Sequence, residues 1–167
     1  IADGASFEWD SDGSTSTRAT LITSAPTASR LSLVSTPDRH LVYFGTETTI
    51  GTTSTQDDMY IRWSDQEDIN TYTPTATNTA GTQRIADGTR IVGAIRGRDA
   101  IYVWTDNALF IMRFVGAPFT FSFQQVGTGC GLIGKNAAVE VDGSAYWMSD
   151  NGFFRYTGKL ESLACLV

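Results

Sequence analysis

The feature that most constrains this chain is a short pattern that returns along it. Tyr102-Val103-Trp104-Thr105-Asp106-Asn107-Ala108-Leu109-Phe110 aligns with Tyr146-Trp147-Met148-Ser149-Asp150-Asn151-Gly152-Phe153-Phe154. Each copy reads as an aromatic strand, a hydroxyl residue, Asp-Asn, a small residue and a second aromatic strand. Asp106 and Asp150 are 44 residues apart, and Trp63-Ser64-Asp65 matches Trp104-Thr105-Asp106 at a spacing of 41. Ile1-Ala2-Asp3-Gly4 returns as Ile85-Ala86-Asp87-Gly88, 84 residues on, or two periods of about 42. A period of roughly 40–45 residues holding several short strands is the sequence signature of a β-propeller blade. One small sheet cannot bury both of its faces alone, whereas stacking blades around an axis covers the aromatic faces and leaves only short edges. The fold class expected is therefore all-β, a β-propeller-like array of short antiparallel hairpins, in preference to a sandwich or irregular barrel. The length divided by the period gives about four blades, the lower limit for closure.

The strands predicted within this frame follow alternation and turn chemistry. A weak strand lies around Ala19 to Thr23. Leu31 and Leu33 flank Ser32; Leu41 to Phe44 is an apolar run closed by Gly45; Met59 to Trp63 is another. Residues 66–84 hold no apolar run and read as a long loop. Ile91 to Ile95, Ile101 to Trp104 and Ala108 to Phe114 read as strands, and Phe119, Phe121 and Phe123 alternate as in a half-buried strand. The four glycines of Gly127 to Gly134 predict irregular backbone. Ala137 to Val141 closes on Asp142-Gly143, a hairpin signal, before Ala145 to Met148 and Phe153 to Tyr156. Residues 1–30 form a Ser/Thr-rich edge or connecting segment, and 31–167 the propeller-like domain. The absence of an initiator Met and the apolar stretch from Leu163 to Val167 lead to the expectation of a fragment of a larger chain.

Charge narrows the partners. The formal net charge is −6 with 18% charged residues, which disfavours tight sequence-independent binding of nucleic acid but suits a surface that DNA slides past. No run approaches the roughly 18 apolar residues of a membrane span. Cys130 and Cys165 are too few for a disulfide framework and read as two buried free thiols, with a single disulfide the minority reading.

No constellation reads as an active site. His40 is the only histidine, beside Arg39 at a strand entry with no nucleophile elbow, which disfavours triads and His-rich zinc sites. Asp10-Ser11-Asp12-Gly13 begins like a calcium loop but lacks the later ligands. Gly127-Thr128-Gly129-Cys130-Gly131 has the wrong spacing for a dinucleotide fingerprint. Asp65, Glu67 and Asp68 offer the paired carboxylates a glycoside hydrolase needs, and Ser149-Asp150-Asn151-Gly152 has the letters of a sialidase Asp box at the wrong spacing. The turn aspartates Asp65, Asp106 and Asp150 read as caps that bond their own backbone, with a ligand role as the lesser reading. No catalytic, metal-binding or cofactor-binding residue is assigned, and no cofactor is expected.

Several stretches resemble the tail nozzle proteins of short-tailed bacteriophages, also called tail tubular protein B or packaged-DNA stabilisation proteins. They are Ile61-Arg62-Trp63-Ser64-Asp65-Gln66-Glu67-Asp68, Tyr72 to Gly81, Asp38-Arg39-His40-Leu41, Ile91 to Ala94, Ile101 to Met112, Phe114 to Phe119, and Cys130 to Ala138. The resemblance covers roughly residues 30–158. It implies a non-enzymatic virion structural protein with β-propeller domains, located in the virion tail and assembled in the host cytoplasm. It also implies a homo-oligomeric ring (a hexamer) with a channel for genome ejection. The partners implied are the tail adaptor, fibre or spike proteins, and passing double-stranded DNA that is not tightly bound. Trp9, Trp63, Tyr72 and Phe119 are candidates for subunit contacts or for packing between blades. The alternative expectation is a carbohydrate-binding or glycoside-hydrolysing β-propeller.

Overall fold

A computed structural model describes residues 4–9, 18–36 and 38–164. The chain is all-β. Three four-stranded antiparallel sheets follow one another, each a simple meander. Sheet I holds β3 (Leu31–Val34), β4 (Leu41–Phe44), β5 (Tyr60–Trp63) and β6 (Gly81–Arg84), preceded by a two-stranded ribbon of β1 (Phe7–Glu8) and β2 (Thr20–Leu21). Sheet II holds β7 (Ile91–Arg96), β8 (Ile101–Thr105), β9 (Ala108–Gly116) and β10 (Thr120–Thr128). Sheet III holds β11 (Ala138–Val141), β12 (Ser144–Ser149), β13 (Gly152–Tyr156) and β14 (Leu160–Leu163). The first strands adjoin one another, β3 against β7 and β7 against β11, as blades arranged about an axis require. Among the described residues the array is not closed. No helix among them is long and apolar enough to cross a membrane.

The core explains why the sheets stack. Ile101 and Val103 of β8, with Phe110 and Met112 of β9, face sheet I and meet Val42, Phe44, Ile61 and Trp63. The alternate residues Tyr102, Trp104, Leu109 and Ile111 face sheet III and meet Ala145, Trp147 and Tyr156. Both parities of β8 and β9 are thus apolar because both faces of sheet II are covered. Aromatic rings lock the second interface: Trp104 and Trp147 lie 5.4 Å apart between centroids, Trp147 stacks on Phe154 at 5.7 Å, and Trp147 Nε1 donates to the Cys130 carbonyl at 2.7 Å. The outer face of sheet I is covered differently. Ile22 and Ala25 from the initial segment and Tyr72 from the β5–β6 connection close over Tyr43.

Three expectations change. Residues 66–84 are not loop throughout, because 81–84 form β6. That strand has no apolar residue to announce it. It pairs through its backbone, and a Cβ at Gly81 would sit 2.3 Å from the Trp63 indole, so the glycine makes room for the ring beside it. The Gly-rich run is irregular only after β10 ends at Thr128. The match of Trp63 to Trp104 is not structural: Trp63 ends a third strand, Trp104 and Trp147 lie on second strands. The equivalent second strands β4 and β8 start at Leu41 and Ile101, β12 at Ser144. Long connections in sheet I stretch its period, and the spacing of 41 is a coincidence.

Candidate interaction surface

The residues that sequence reasoning raised for chemistry fall into separate, locally satisfied structures. His40 is fully buried. Its Nδ1 lies 2.8 Å from Asp38 Oδ2 and its Nε2 2.9 Å from Thr79 Oγ1, with Phe114 and Phe121 against the ring. Thr79 in turn donates through its hydroxyl (2.6 Å) and amide (2.8 Å) to Asp65 Oδ1, which also accepts from Gln66 N at 2.9 Å. These bonds hold the Asp65 carboxyl below its usual range, the Thr79 hydroxyl foremost. Glu67 is ion-paired with Arg39, and Asp68 accepts from Asn70 N at 2.8 Å. The three carboxylates are therefore spent on the fold of the β5–β6 connection and do not converge on one cavity.

The turn motif has a different use from simple capping. In the Asp106-Asn107 turn it is the Thr105 hydroxyl that accepts from Asn107 N and Ala108 N, at 3.1 and 2.8 Å. Asp106 instead reaches the segment before β7, accepting from Thr89 N at 2.8 Å and from the Thr89 hydroxyl. The two repeated asparagines hold the Gly-rich run. Asn107 Oδ1 accepts from Gly129 N at 3.3 Å, and Asn151 Nδ2 donates to the Gly129 carbonyl at 2.9 Å. The run is a strap binding the turn of sheet II to that of sheet III. Cys130 on this strap is a buried free cysteine whose thiol burial pushes up. Cys165 and the Asp10–Gly13 motif lie outside the described residues. Of the four aromatics named for contacts, Trp63 and Tyr72 are buried, while Trp9 and Phe119 are 56% and 75% exposed.

The surface that stands out is the outer face of sheet III. Alternation sends Ala145 and Trp147 inward, where they are 0% and 3% exposed. The same alternation sends their neighbours outward. Phe153 pairs with Met148 and with Leu163, and Val139 pairs with Tyr146, so these side chains share one face. Val139, Val141, Met148, Phe153 and Leu163 all rank as exposed, from 54% at Val139 to 36% at Leu163. Between them runs an open apolar groove of about 640 Å³ lined by residues such as Ala137, Val139, Met148, Phe153 and Leu163. Covering each of these side chains stabilises by on the order of 1 kcal/mol. The polar groups of the face include Tyr146, its cross-strand partner Arg155, and Glu161, ion-paired with Arg155 across β13 and β14. Sequence reasoning missed this face although its signal was present: Trp147-Met148 and Phe153-Phe154 place large apolar groups at both parities, as Tyr102 to Trp104 do in the doubly covered sheet II.

No protein-family model matches the chain, and no curated protein matches it.

Proposed function

We propose that this chain is a structural assembly module of a short-tailed phage tail, a nozzle component that forms part of the conduit for DNA ejection. The observation that carries an assembly role is sheet III. It has the side-chain pattern of a sheet covered on both faces, yet only one face is covered within the described residues. A contiguous apolar face of this kind marks a contact with another protein surface. The assignment to a phage tail rests on the stretches between residues 30 and 158 that resemble nozzle proteins. A non-enzymatic role agrees with the carboxylates of 65–68 being tied up locally and with the burial of His40. The net charge of −6 suits a conduit that repels the genome it passes. In this reading the module lies in the virion tail, assembles in the host cytoplasm and contacts other tail proteins.

Immunogold labelling of purified virions tests the proposal. Antibody raised against the chain is expected to mark the distal end of the tail. Virions that carry no label, from cells that make the protein, overturn it.

A further inference from the structure

Strands β9 and β10 are the longest among the described residues, nine residues each. β9 last pairs with β8 at Met112 and Ile101, then runs on with β10 alone from Arg113 to Gly116. At about 3.4 Å per residue, that carries the hairpin roughly 13 Å past the end of β8. Its root is fixed to sheet I. Phe114 and Phe121 pack on the buried His40 ring, and the Thr120 hydroxyl donates to the Thr79 carbonyl at 3.0 Å. Thr120 has φ 59°, a conformation that a β-branched residue holds only where its surroundings impose it. Beyond that root the side chains stand in solvent. Val115, Ala117, Pro118 and Phe119 are all exposed, Phe119 at 75%, and a Cβ at Gly116 would meet nothing within 4 Å.

The charge around this tip runs against that of the chain. The chain holds 18 acidic residues, yet from Asn107 to Val139 there is no Asp or Glu. Arg96 ends β7 opposite Ile101, at the level where the hairpin leaves the sheet, and Arg98 and Arg113 line one cleft. All three arginines are exposed, and none is ion-paired among the described residues. At this end of sheet II they stand against a single carboxylate, Asp99, which shares the cleft. From the neighbouring sheets, Asp38 is bonded to His40, Glu140 accepts from Gly143 N at 2.6 Å, and Asp142 lies exposed in the β11–β12 turn.

We propose that the β9–β10 hairpin is a membrane-contacting tip: Val115, Ala117, Pro118 and Phe119 enter the interface of a lipid bilayer while Arg96, Arg98 and Arg113 meet the phosphates of anionic lipid. The dimensions agree. Apolar groups of interfacial segments bury about 5–10 Å into the boundary of headgroups and acyl chains, and the hairpin reaches roughly 13 Å, so a buried tip leaves the arginines at headgroup level. The shape agrees as well. A convex tip enters a deformable lipid surface as it stands, whereas a protein partner would have to supply a matching socket. Arginines behind an apolar tip complement anionic lipid, and each basic group near such a surface adds attraction. The proposal stands on this hairpin and is independent of the phage assignment.

Flotation of the chain with vesicles of mixed phosphatidylglycerol and phosphatidylcholine tests it. The chain is expected to float with these vesicles. Val115→Asp with Phe119→Asp is expected to bind about tenfold more weakly or worse, as loss of buried apolar groups requires. Arg98→Gln with Arg113→Gln is expected to lose about fivefold for each arginine on these vesicles, and little on phosphatidylcholine alone. Phe119→Trp places a fluorophore at the tip, and vesicles with brominated acyl chains are expected to quench it. Phe153→Asp, on the outer face of sheet III, is expected to bind as the parent does. Circular dichroism checks that each variant is folded, and Phe119→Ser replaces a tip variant that is not. No flotation, as for a tip that serves a protein contact instead, overturns the proposal. So do a tip variant that binds like the parent, an equal loss in Phe153→Asp, or Phe119→Trp fluorescence that brominated lipid adds no quenching to. A chain that ignores vesicles and still labels phage tails removes the membrane contact and leaves the proposed function standing.

Discussion

Gly131 is the position where one added methyl group tests how sheets II and III are joined. A Cβ there would lie 2.2 Å from both the carbonyl carbon and the oxygen of Asp106 and 2.5 Å from Asn107 N. These are backbone atoms of a hairpin turn, already held by the Thr105 hydroxyl, so no rotamer change relieves the clash. The strap must lift by roughly 1 Å to reach ordinary van der Waals separation. That displacement breaks two backbone bonds, Cys130 N to the Asn107 carbonyl and Leu132 N to the Thr105 carbonyl, each 3.0 Å long. At about 1 kcal/mol apiece, with about 1 kcal/mol more for partial exposure of the buried Leu132, Gly131→Ala is expected to cost about 3 kcal/mol. For a chain of this size the melting temperature falls by about 6–12 °C. The control is Gly134→Ala on the same strap, where an added Cβ meets nothing within 4 Å and the change stays within about 0.5 kcal/mol. Urea unfolding followed by tryptophan fluorescence reads both. Equal midpoints for the two variants would show that the strap is not the joint described.

Two further outcomes follow from the same structure. Trp147→Ala is expected to cost about 3–5 kcal/mol, since it removes the ring stacked on Phe154 and the donor to the Cys130 carbonyl; a midpoint within about 1 kcal/mol of the parent would mean that sheets II and III do not depend on this contact. Acid should destabilise the fold. The Asp65 carboxyl is held low chiefly by Thr79, and that of Asp106 is held low because bonds from Thr89 and the backbone outweigh a raising effect of burial. Depressed folded-state values stabilise above the unfolded value of about 3.8, and that stabilisation is lost as pH falls through them. Unfolding midpoints are therefore expected to drop below about pH 4, with a shallower drop in Asp65→Asn. A midpoint that holds or rises on acidification contradicts the bonding described.

Strand positions were legible where side chains declare a periodicity and illegible where the backbone alone does the pairing. β8, β9, β12 and β13 are apolar and bounded by turn residues, so their order could be read directly. Asp142-Gly143 was readable because both residues adopt positive φ, 50° and 80°, which the hairpin turn demands. β6 was not readable: Gly81-Thr82-Gln83-Arg84 contributes an edge ladder and a space for the Trp63 ring, neither of which leaves a hydrophobic mark. The turn aspartates were read as caps of their own turns because Asp commonly does this. Asp106 does otherwise because Thr105 beside it already caps, freeing its carboxylate to hold Thr89. The buried network around His40 joins Asp38, Thr79 and Asp65 across 41 positions of chain numbering at its widest, and no local pattern encodes such a meeting.

The two ends of the array show how much a sequence says about what covers a sheet. The outward row of sheet I reads Ser32, Tyr43, Arg62 and Thr82 across its four strands. Arg62, buried at 6% exposure, spends its guanidinium on the carbonyls of Tyr72, Glu47 and Thr48. A face built this way is finished by connecting segments that supply polar partners, and the segments around Ile22 and Tyr72 do so. Sheet III carries Val139, Tyr146, Arg155 and Glu161 in its corresponding outward row, with the same Tyr–Arg pair on its two middle strands, and sets beside it an apolar row of Met148, Phe153 and Leu163. A cover that meets this apolar row across three strands is itself apolar and broad, as a neighbouring sheet is and a solvated loop is not. The outward parity carries a Tyr–Arg pair at both ends of the array, Tyr43 with Arg62 and Tyr146 with Arg155, so what sets the ends apart is the exposed apolar row beside the pair in sheet III and not the parity that carries charge.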